Sequence, residues 1–253
     1  FFSCINSYGQ TTTVYYVDAA KSDNSGSGLN WSSAKRDIQA AIFQADSDDQ
    51  VWVKKGTYKP THDHLGNSNP TIRQRRTFYI KDGIKLYGGF AGTETALTQR
   101  TSGNVTILSG DFNSNDIYKE RDSISPRIAN NTDNAYHLIL ASPTIAAKGI
   151  TIDGFTMTGG GATILSPSPQ SFTVNSNTIY DERYGVMAIF YGKNTITNNI
   201  ITKNNSHYDL ILLAGGSDSF AYNTIVKNIS QTICYKILGV NNFSNNAFNG
   251  CPI

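Results

Sequence analysis

Three short segments of this chain, DERYG (181–185), SHYD (206–209) and SQTI (230–233), recur at a 24-residue step. At that step Arg183, His207 and Gln231 share one column, Tyr184, Tyr208 and Thr232 share the next, and Glu182 falls with Ser206 and Ser230. Two tyrosines on adjacent turns would make an aromatic platform edged by a cation, an imidazole and a carboxylate. Sugar rings lie on aromatic faces while their hydroxyls take such hydrogen-bonding edges. Glu182, Arg183, Tyr184, His207 and Tyr208 are therefore the candidate substrate-binding set. Stacked aromatics also stabilise a turn without any ligand. Arg183 or His207 acting as a catalytic base is the further alternative.

A second constellation is Asp111-Phe112-Asn113-Ser114-Asn115-Asp116, continuing to Asp122. Asp111, Asn113, Asn115 and Asp122 fall at ligand positions 1, 3, 5 and 12 of a calcium loop, where short oxygen-bearing side chains supply a hard cation. Asp116 stands where glycine makes the sharp turn, and position 12 is Asp rather than Glu. An Asp/Asn-rich turn needs no metal, so Ca²⁺ is a candidate cofactor and a plain turn its rival. His62-Asp63-His64 offers two imidazoles without a third His or a Cys, which is weak evidence for a transition metal. No serine nucleophile elbow, phosphate loop or dinucleotide fingerprint appears.

The element that must position these groups is a repeat. Ile152, Val174, Ile196, Phe220 and Phe243 follow one another at steps of 22, 22, 24 and 23 residues. Phe155, Asn177, Asn199, Asn223 and Asn246 keep the same steps, as do Met157, Ile179, Ile201, Ile225 and Phe248; Val186, Leu210 and Cys234 form a second ladder. So short a period, rich in β-branched residues and Asn, predicts a β-solenoid: a single-stranded, right-handed parallel β-helix with three short strands per rung. The Asn column is expected to be a hydrogen-bonded ladder inside the coil rather than a site. Ile38, Ala41, Ile42 and Ala45 repeat at i, i+3, i+4 and i+7, which predicts a capping α-helix over residues 34 to 45, with Ser32 or Ser33 as its cap. Strands are expected at Phe78–Ile80, Ile84–Tyr87, Val105–Leu108, His137–Leu140 and Ile150–Met157. Polar excursions are expected over 59–76 and 111–134, and a third break, with Gly159-Gly160-Gly161 and two prolines, is expected to separate rungs near residue 165.

The motifs YYVDAA, NWSSAKRDIQAAI, VWVKKGTYKP, IKLYGGFAGTET, LSGD, DNAYHLI and ITIDGFTMTGGGA span roughly residues 13 to 161. Together they resemble exported bacterial proteins of the pectin-lyase-like, right-handed parallel β-helix superfamily, more narrowly the surface and secreted members carrying the YGGFAGTE block. The resemblance implies a scaffold and not a reaction, because that superfamily holds lyases, hydrolases and adhesins. Asn131-Thr132-Asp133 is similar to one element of the polygalacturonase signature, but the paired aspartates, His-Gly and Arg-x-Lys elements are missing.

Net charge is +2 with 16% charged residues, and no long basic run occurs, which argues against a nucleic-acid partner. No stretch of 18 apolar residues predicts a membrane span. FFSCINSYGQ reads as the tail of a secretory signal peptide ending at Gly9, leaving a β-helix domain over 10–253 that is expected to be truncated at its C-terminus. Lipidation at Cys4 is the alternative, against which stand Phe1 and Phe2. Cys234 and Cys251 are the candidate disulfide pair, although their register sets them six residues apart around the rung. The leading expectation is a secreted or surface-exposed, non-catalytic scaffold, monomeric, that binds polysaccharide or cell-surface glycan. The rival is a polysaccharide lyase or glycoside hydrolase acting on acidic polysaccharide, using Arg183, Lys203 and the Asp111/Asp122 loop. End-to-end association of coils is a third expectation.

Overall fold

A computed structural model describes residues 11–119, 127–142, 148–166, 171–180, 182, 185–190, 192–206, 209–230 and 235–249. The chain winds as a right-handed parallel β-helix with one α-helix, the hand that twisted strands impose on parallel crossovers. Each rung has three faces. In the third rung these are Ile150–Asp153 on face one, Thr156–Thr158 on face two and Gly160–Ser166 on face three. Face two is a seven-stranded stack running from Gly56–Tyr58 to Ala247–Asn249. Faces one and three merge into one twelve-stranded sheet, because Ile211–Ala221 and Tyr235–Ser244 run through the third corner unbroken. An antiparallel pair, Ile117–Lys119 with Arg127–Ala129, lies outside this pattern in an excursion.

The register follows the sequence ladders. Ile152 pairs with Val174, Val174 with Ile196, Ile196 with Phe220, and Phe220 with Phe243. On face two Met157, Ile179, Ile201, Ile225 and Phe248 stack in the same way. These inward columns are fully buried from Ile152 to Phe220 and from Met157 to Ile225. They give a continuous apolar core along the axis.

The corners explain why asparagine recurs. Between faces one and two the chain turns on one left-handed residue per rung: Gly154 (φ 82°), Ser176 (55°), Asn198 (56°), Tyr222 (58°) and Asn245 (55°). Four of these carry a Cβ, and that conformation costs about 1–2 kcal/mol each. The next residue points inward and repairs the lost pairing. Asn199 Oδ1 accepts from the Asn177 N–H at 3.0 Å and Asn177 Nδ2 at 3.1 Å, while Asn199 Nδ2 donates to Val174 O at 2.9 Å and Asn223 Oδ1 at 3.0 Å. Asn223 and Asn246 continue the pattern, and at the other end Asn177 Oδ1 accepts from the Phe155 N–H. A second ladder at the next corner joins Glu182, Asn204 and Asn228 through backbone and amide bonds of 3.0–3.1 Å. A third joins Phe172, Asn194 and Asp218.

Two local expectations change. The α-helix is Ile38–Gln44, not 34 to 45, and its N-cap is Asp37, without a side-chain capping bond. Ser33 instead sits in a turn, where its N–H donates to Asn30 Oδ1 and its carbonyl accepts from Gly28, and Lys35 bridges to Val17 as an extra strand residue. Inside the helix, buried Gln39 presents its amide to the edge of strand Phe78–Ile80, donating to Tyr79 O at 3.1 Å and accepting from the Tyr79 N–H at 2.9 Å. The helix thus shields a strand edge that would otherwise invite pairing. The second change concerns glycine. Ile150–Met157 is cut at Gly154, and Gly159-Gly160-Gly161 forms the corner and start of strand Gly160–Ser166, so the rungs separate after that strand and before Phe172–Asn175 rather than at the glycines. A Cβ on Gly160 would stand 2.6 Å from Glu182 Oε2 and 3.2 Å from Leu138 Cβ, so the Glu182 side chain would have to shift to admit it.

The ladder predicts its own energetics. Asn199→Ala orphans the Asn177 N–H and the Val174 carbonyl, each costing about 1–3 kcal/mol when buried; denaturant unfolding should register a loss of about 2–6 kcal/mol. The outward Thr195→Ala should cost about 1 kcal/mol or less.

Asp218 supplies a pH signature. Burial pushes its carboxyl above the ordinary value; Oδ1 accepts from Asn194, while buried Oδ2 has no partner among the described residues. A raised folded-state pKa means that ionisation destabilises the fold at high pH and that stability returns as pH falls through that pKa. Asp218→Asn should therefore melt above the wild type near neutral pH. The gap should close as pH falls toward the ordinary carboxylate value of about 4.

Candidate functional site

Two excursions leave the corner between faces two and three, one per rung, and together they build a wall over face three. The first, residues 59–76, is tied internally by Asp63, whose carboxylate accepts from the N–H groups of Leu65 and Asn67 and from Asn67 Nδ2, all at 2.9 Å. The second begins at Asp111, whose Oδ1 and Oδ2 accept from the N–H groups of Asn113 (3.1 Å) and Asp116 (3.0 Å). Arg73 clamps the two: Nη2 donates to Asn113 Oδ1 at 2.9 Å and lies 3.6 Å from Asp133, and the guanidinium sits 5.1 Å from the Phe112 ring centre. Lys59 crosses in the opposite sense, donating to Phe112 O at 3.1 Å and Ser114 Oγ at 2.7 Å.

Between this wall and face three lies a groove of about 300 Å³. Tyr136, His137 and Leu140 of strand Ala135–Ala141 and Leu165 of strand Gly160–Ser166 form its floor. His64, Gln74, Arg75 and Thr77 form its wall. Tyr136 is 46% exposed, so its ring is available to a ligand. Burial lowers the His137 imidazole pKa, keeping it neutral near pH 7, and its buried Nδ1 has no partner among the described residues. Gln74 is fixed by donating to Thr132 O at 3.3 Å, while exposed Arg75 makes no ion pair among the described residues. The result is an aromatic and apolar floor with a cationic, amide-bearing rim, suited to a saccharide ring carrying a negative group.

The residues expected from sequence fare differently. Arg183, Tyr184, His207 and Tyr208 lie outside the described residues, as do Asp122, Cys4, Cys234 and Cys251. Glu182 is described, and it is fully buried, with its N–H donating to Asn204 Oδ1 and its carboxylate turned toward Gly160. It cannot edge a surface platform, which corrects the expectation. The reason is register: Glu182 stacks on Asn204 at a 22-residue step, not on Ser206 at 24. Two extra residues enter only afterwards, between Asn204 and Leu210, the stretch in which strand Asn205–Ser206 pairs with Ile229–Ser230. The 24-step begins beyond them, where Val186 N–H meets Leu210 O.

Asp111, Asn113 and Asn115 occupy one turn, but Asp111 is spent on backbone N–H groups and Asn113 on a guanidinium. A cation there would face Arg73, and among the described residues no group of three His, Cys, Asp or Glu side chains is placed to hold a metal. His62 and His64 diverge: His62 packs edge-on against Phe43 with ring centres 5.3 Å apart, whereas His64 lines the groove. Lys203 turns the same corner as Asp111 but three rungs along, about 14 Å away at the usual strand spacing. Lys203 and Asp111 therefore do not meet, and Arg183 and Asp122 lie outside the described residues.

Tyr136, His137 and Gln74 were not singled out from the sequence, and Arg75 stood out only as a member of the small basic cluster Arg73, Arg75 and Arg76, expected to be a solvated loop. Tyr136 and His137 carry a faint signal, two polar-tipped rings opening an otherwise apolar strand. Arg75 and Gln74 carry none for a groove, being brought across some sixty residues by the fold. No protein-family model matches the chain, and comparison with curated proteins and with solved structures gives no significant match. Among the described residues no helix is long and apolar enough to cross a membrane.

The wall yields its own test. Arg73→Ala should speed proteolytic cleavage within residues 59–76 and 111–119 while leaving the far-UV β signal unchanged. Protection by added Ca²⁺ would instead restore the Asp111 turn as a calcium site.

Proposed function

We propose that this protein is an exported, non-catalytic β-helix scaffold that binds acidic polysaccharide along face three. The observation that carries this reading is the groove itself, with exposed Tyr136 on a rigid strand and, on a braced wall beside it, Arg75, which makes no ion pair among the described residues. A pyranose ring stacks on the tyrosine face, and its carboxylate meets the guanidinium fork. Leu140 and Leu165 extend the apolar floor along the coil axis, the direction in which a chain of sugars would run. The resemblance to exported pectin-lyase-like proteins points the same way for secretion. Tyr184 and Tyr208, which lie outside the described residues, stay in the proposal as sugar-stacking candidates on the sequence pattern alone.

A lyase acting on the same polymer is the second reading, because the His137 imidazole, a residue type that can serve as a base, shares the groove with Arg75, whose guanidinium can pair with a substrate carboxylate.

Retention on immobilised polyuronate should fall about tenfold or more for Tyr136→Ala and for Arg75→Ala, with unchanged melting temperature. Binding should weaken as salt rises, since the Arg75 contribution is screened at the surface. Full retention by both variants would remove the groove from the function. Growth of ultraviolet absorbance from unsaturated uronate products would replace the scaffold with the lyase.

A further inference from the structure

A second cavity lies at the corner between faces one and two, on another side of the coil from the groove just described. It is a notch of about 440 Å³ spanning rungs two to four. Gly88, Gly89 and Gly154 line its base, and the excursion 91–105 forms one wall. Gly88 has no room for a side chain, since a Cβ there would lie 2.6 Å from Gly154 O. The excursion is itself held by Glu94, whose carboxylate accepts from the N–H groups of Ala91 (2.6 Å), Gly92 (2.9 Å) and Thr93 (3.0 Å). The wall is therefore preformed.

The notch contains two charged residues, and they neutralise each other. Arg100 Nη1 donates to Asp153 Oδ1 at 2.9 Å and to Gly88 O at 3.2 Å, and Nε donates to Leu97 O at 3.3 Å. Its guanidinium also packs 5.2 Å from the Tyr87 ring centre and 5.8 Å from that of Phe90. Arg100 is thus locked in place, while Nη2 donates to no described residue. Asp153 Oδ2 accepts from Asn175 Nδ2 at 2.9 Å. No uncompensated charge is left to attract an ion.

What remains is hydroxyl chemistry. Thr98, Ser102, Thr156 and Thr178 line the notch, and their hydroxyls make no hydrogen bond to described residues. Thr156 and Thr178 are paired on adjacent rungs, about 4.8 Å apart, so the notch repeats its donors and acceptors along the coil axis. A ligand with hydroxyls at a similar repeat and no net charge meets this lining best.

We propose that the corner notch is a binding site for a neutral polysaccharide chain laid parallel to the coil axis. The threonine hydroxyls and the free Arg100 Nη2 are its hydrogen-bonding partners. The site differs from the face-three groove in position, in residues and in ligand charge, and it stands whether or not that groove binds uronate.

The test is calorimetric titration with neutral hexasaccharides of β-1,4-linked glucose, xylose and mannose, beside a hexamer of galacturonate. At least one neutral hexamer should bind the wild type. The double substitution Thr156→Val and Thr178→Val removes two hydroxyls at nearly constant shape and should weaken that binding about tenfold or more, with unchanged melting temperature. Tyr136→Ala should leave it unaltered. Absence of binding by all three neutral hexamers, equal affinity in the double variant, or loss of binding in Tyr136→Ala would each overturn the assignment. Failure of the galacturonate hexamer alone would count only against the face-three reading.

Discussion

Every turn of this coil must change direction without leaving polar backbone stranded in an apolar core, and the inward asparagine amide is what makes that feasible. One left-handed residue swings the chain from face one to face two, which takes the next backbone groups out of the strand ladder. The side chain of Asn177, Asn199 or Asn223 then stands in for strand pairing. Its oxygen accepts from the residue one rung away, and its nitrogen donates to a carbonyl on the preceding strand. Buried polar groups are tolerated when they are paired this fully. The strain at Ser176, Asn198, Tyr222 and Asn245 persists because the neighbouring amide holds each corner from both sides.

Because these tight corners are the same from rung to rung, chemistry collects where they are interrupted. The two excursions at the second corner brace each other through Arg73 and Lys59 and overhang Tyr136. The excursion at the first corner, fastened by Glu94 and Arg100, overhangs the threonine column. In both places a stiff stack of strands supplies a floor that repeats along the axis, and a loop supplies a wall with its own charge balance. The two walls differ in that respect: Arg75 makes no ion pair among the described residues, while Arg100 is matched by Asp153. That difference separates the ligands proposed for the two sites.

The block YGGFAGTE, which carried the resemblance at the level of sequence, has a structural meaning independent of any reaction. Gly88 permits close approach to Gly154, and a Cβ on Gly92 would meet the Lys54 side chain. Glu94 gathers three backbone N–H groups, and its own carbonyl accepts from Trp31 Nε1 at 2.9 Å. Burial would push the Glu94 carboxyl up, but these N–H donors outweigh it and hold the pKa below its ordinary value. Such residues identify a scaffold because they solve a packing problem, and for the same reason they say little about what the scaffold binds.

The β-helix, its register on faces one and two and the structural role of the Asn column were legible in the sequence because stacking converts a fixed step into lateral contact. Ile152 must meet Val174 if the fold repeats at all. The helix limits and the position of Glu182 were not legible to the same degree. A cap depends on which turn the preceding residues prefer, and a change of step from 22 to 24 hides where in the rung the extra residues enter. The grooves were beyond reach altogether. Tyr136 and Arg75 become neighbours only after two long excursions fold back, and the neutrality of the corner notch depends on Arg100 reaching across 53 residues to Asp153. Periodic contacts along the axis are local in rung space, so sequence alone determines them; contacts made by the interruptions have no period, and only the folded chain decides them.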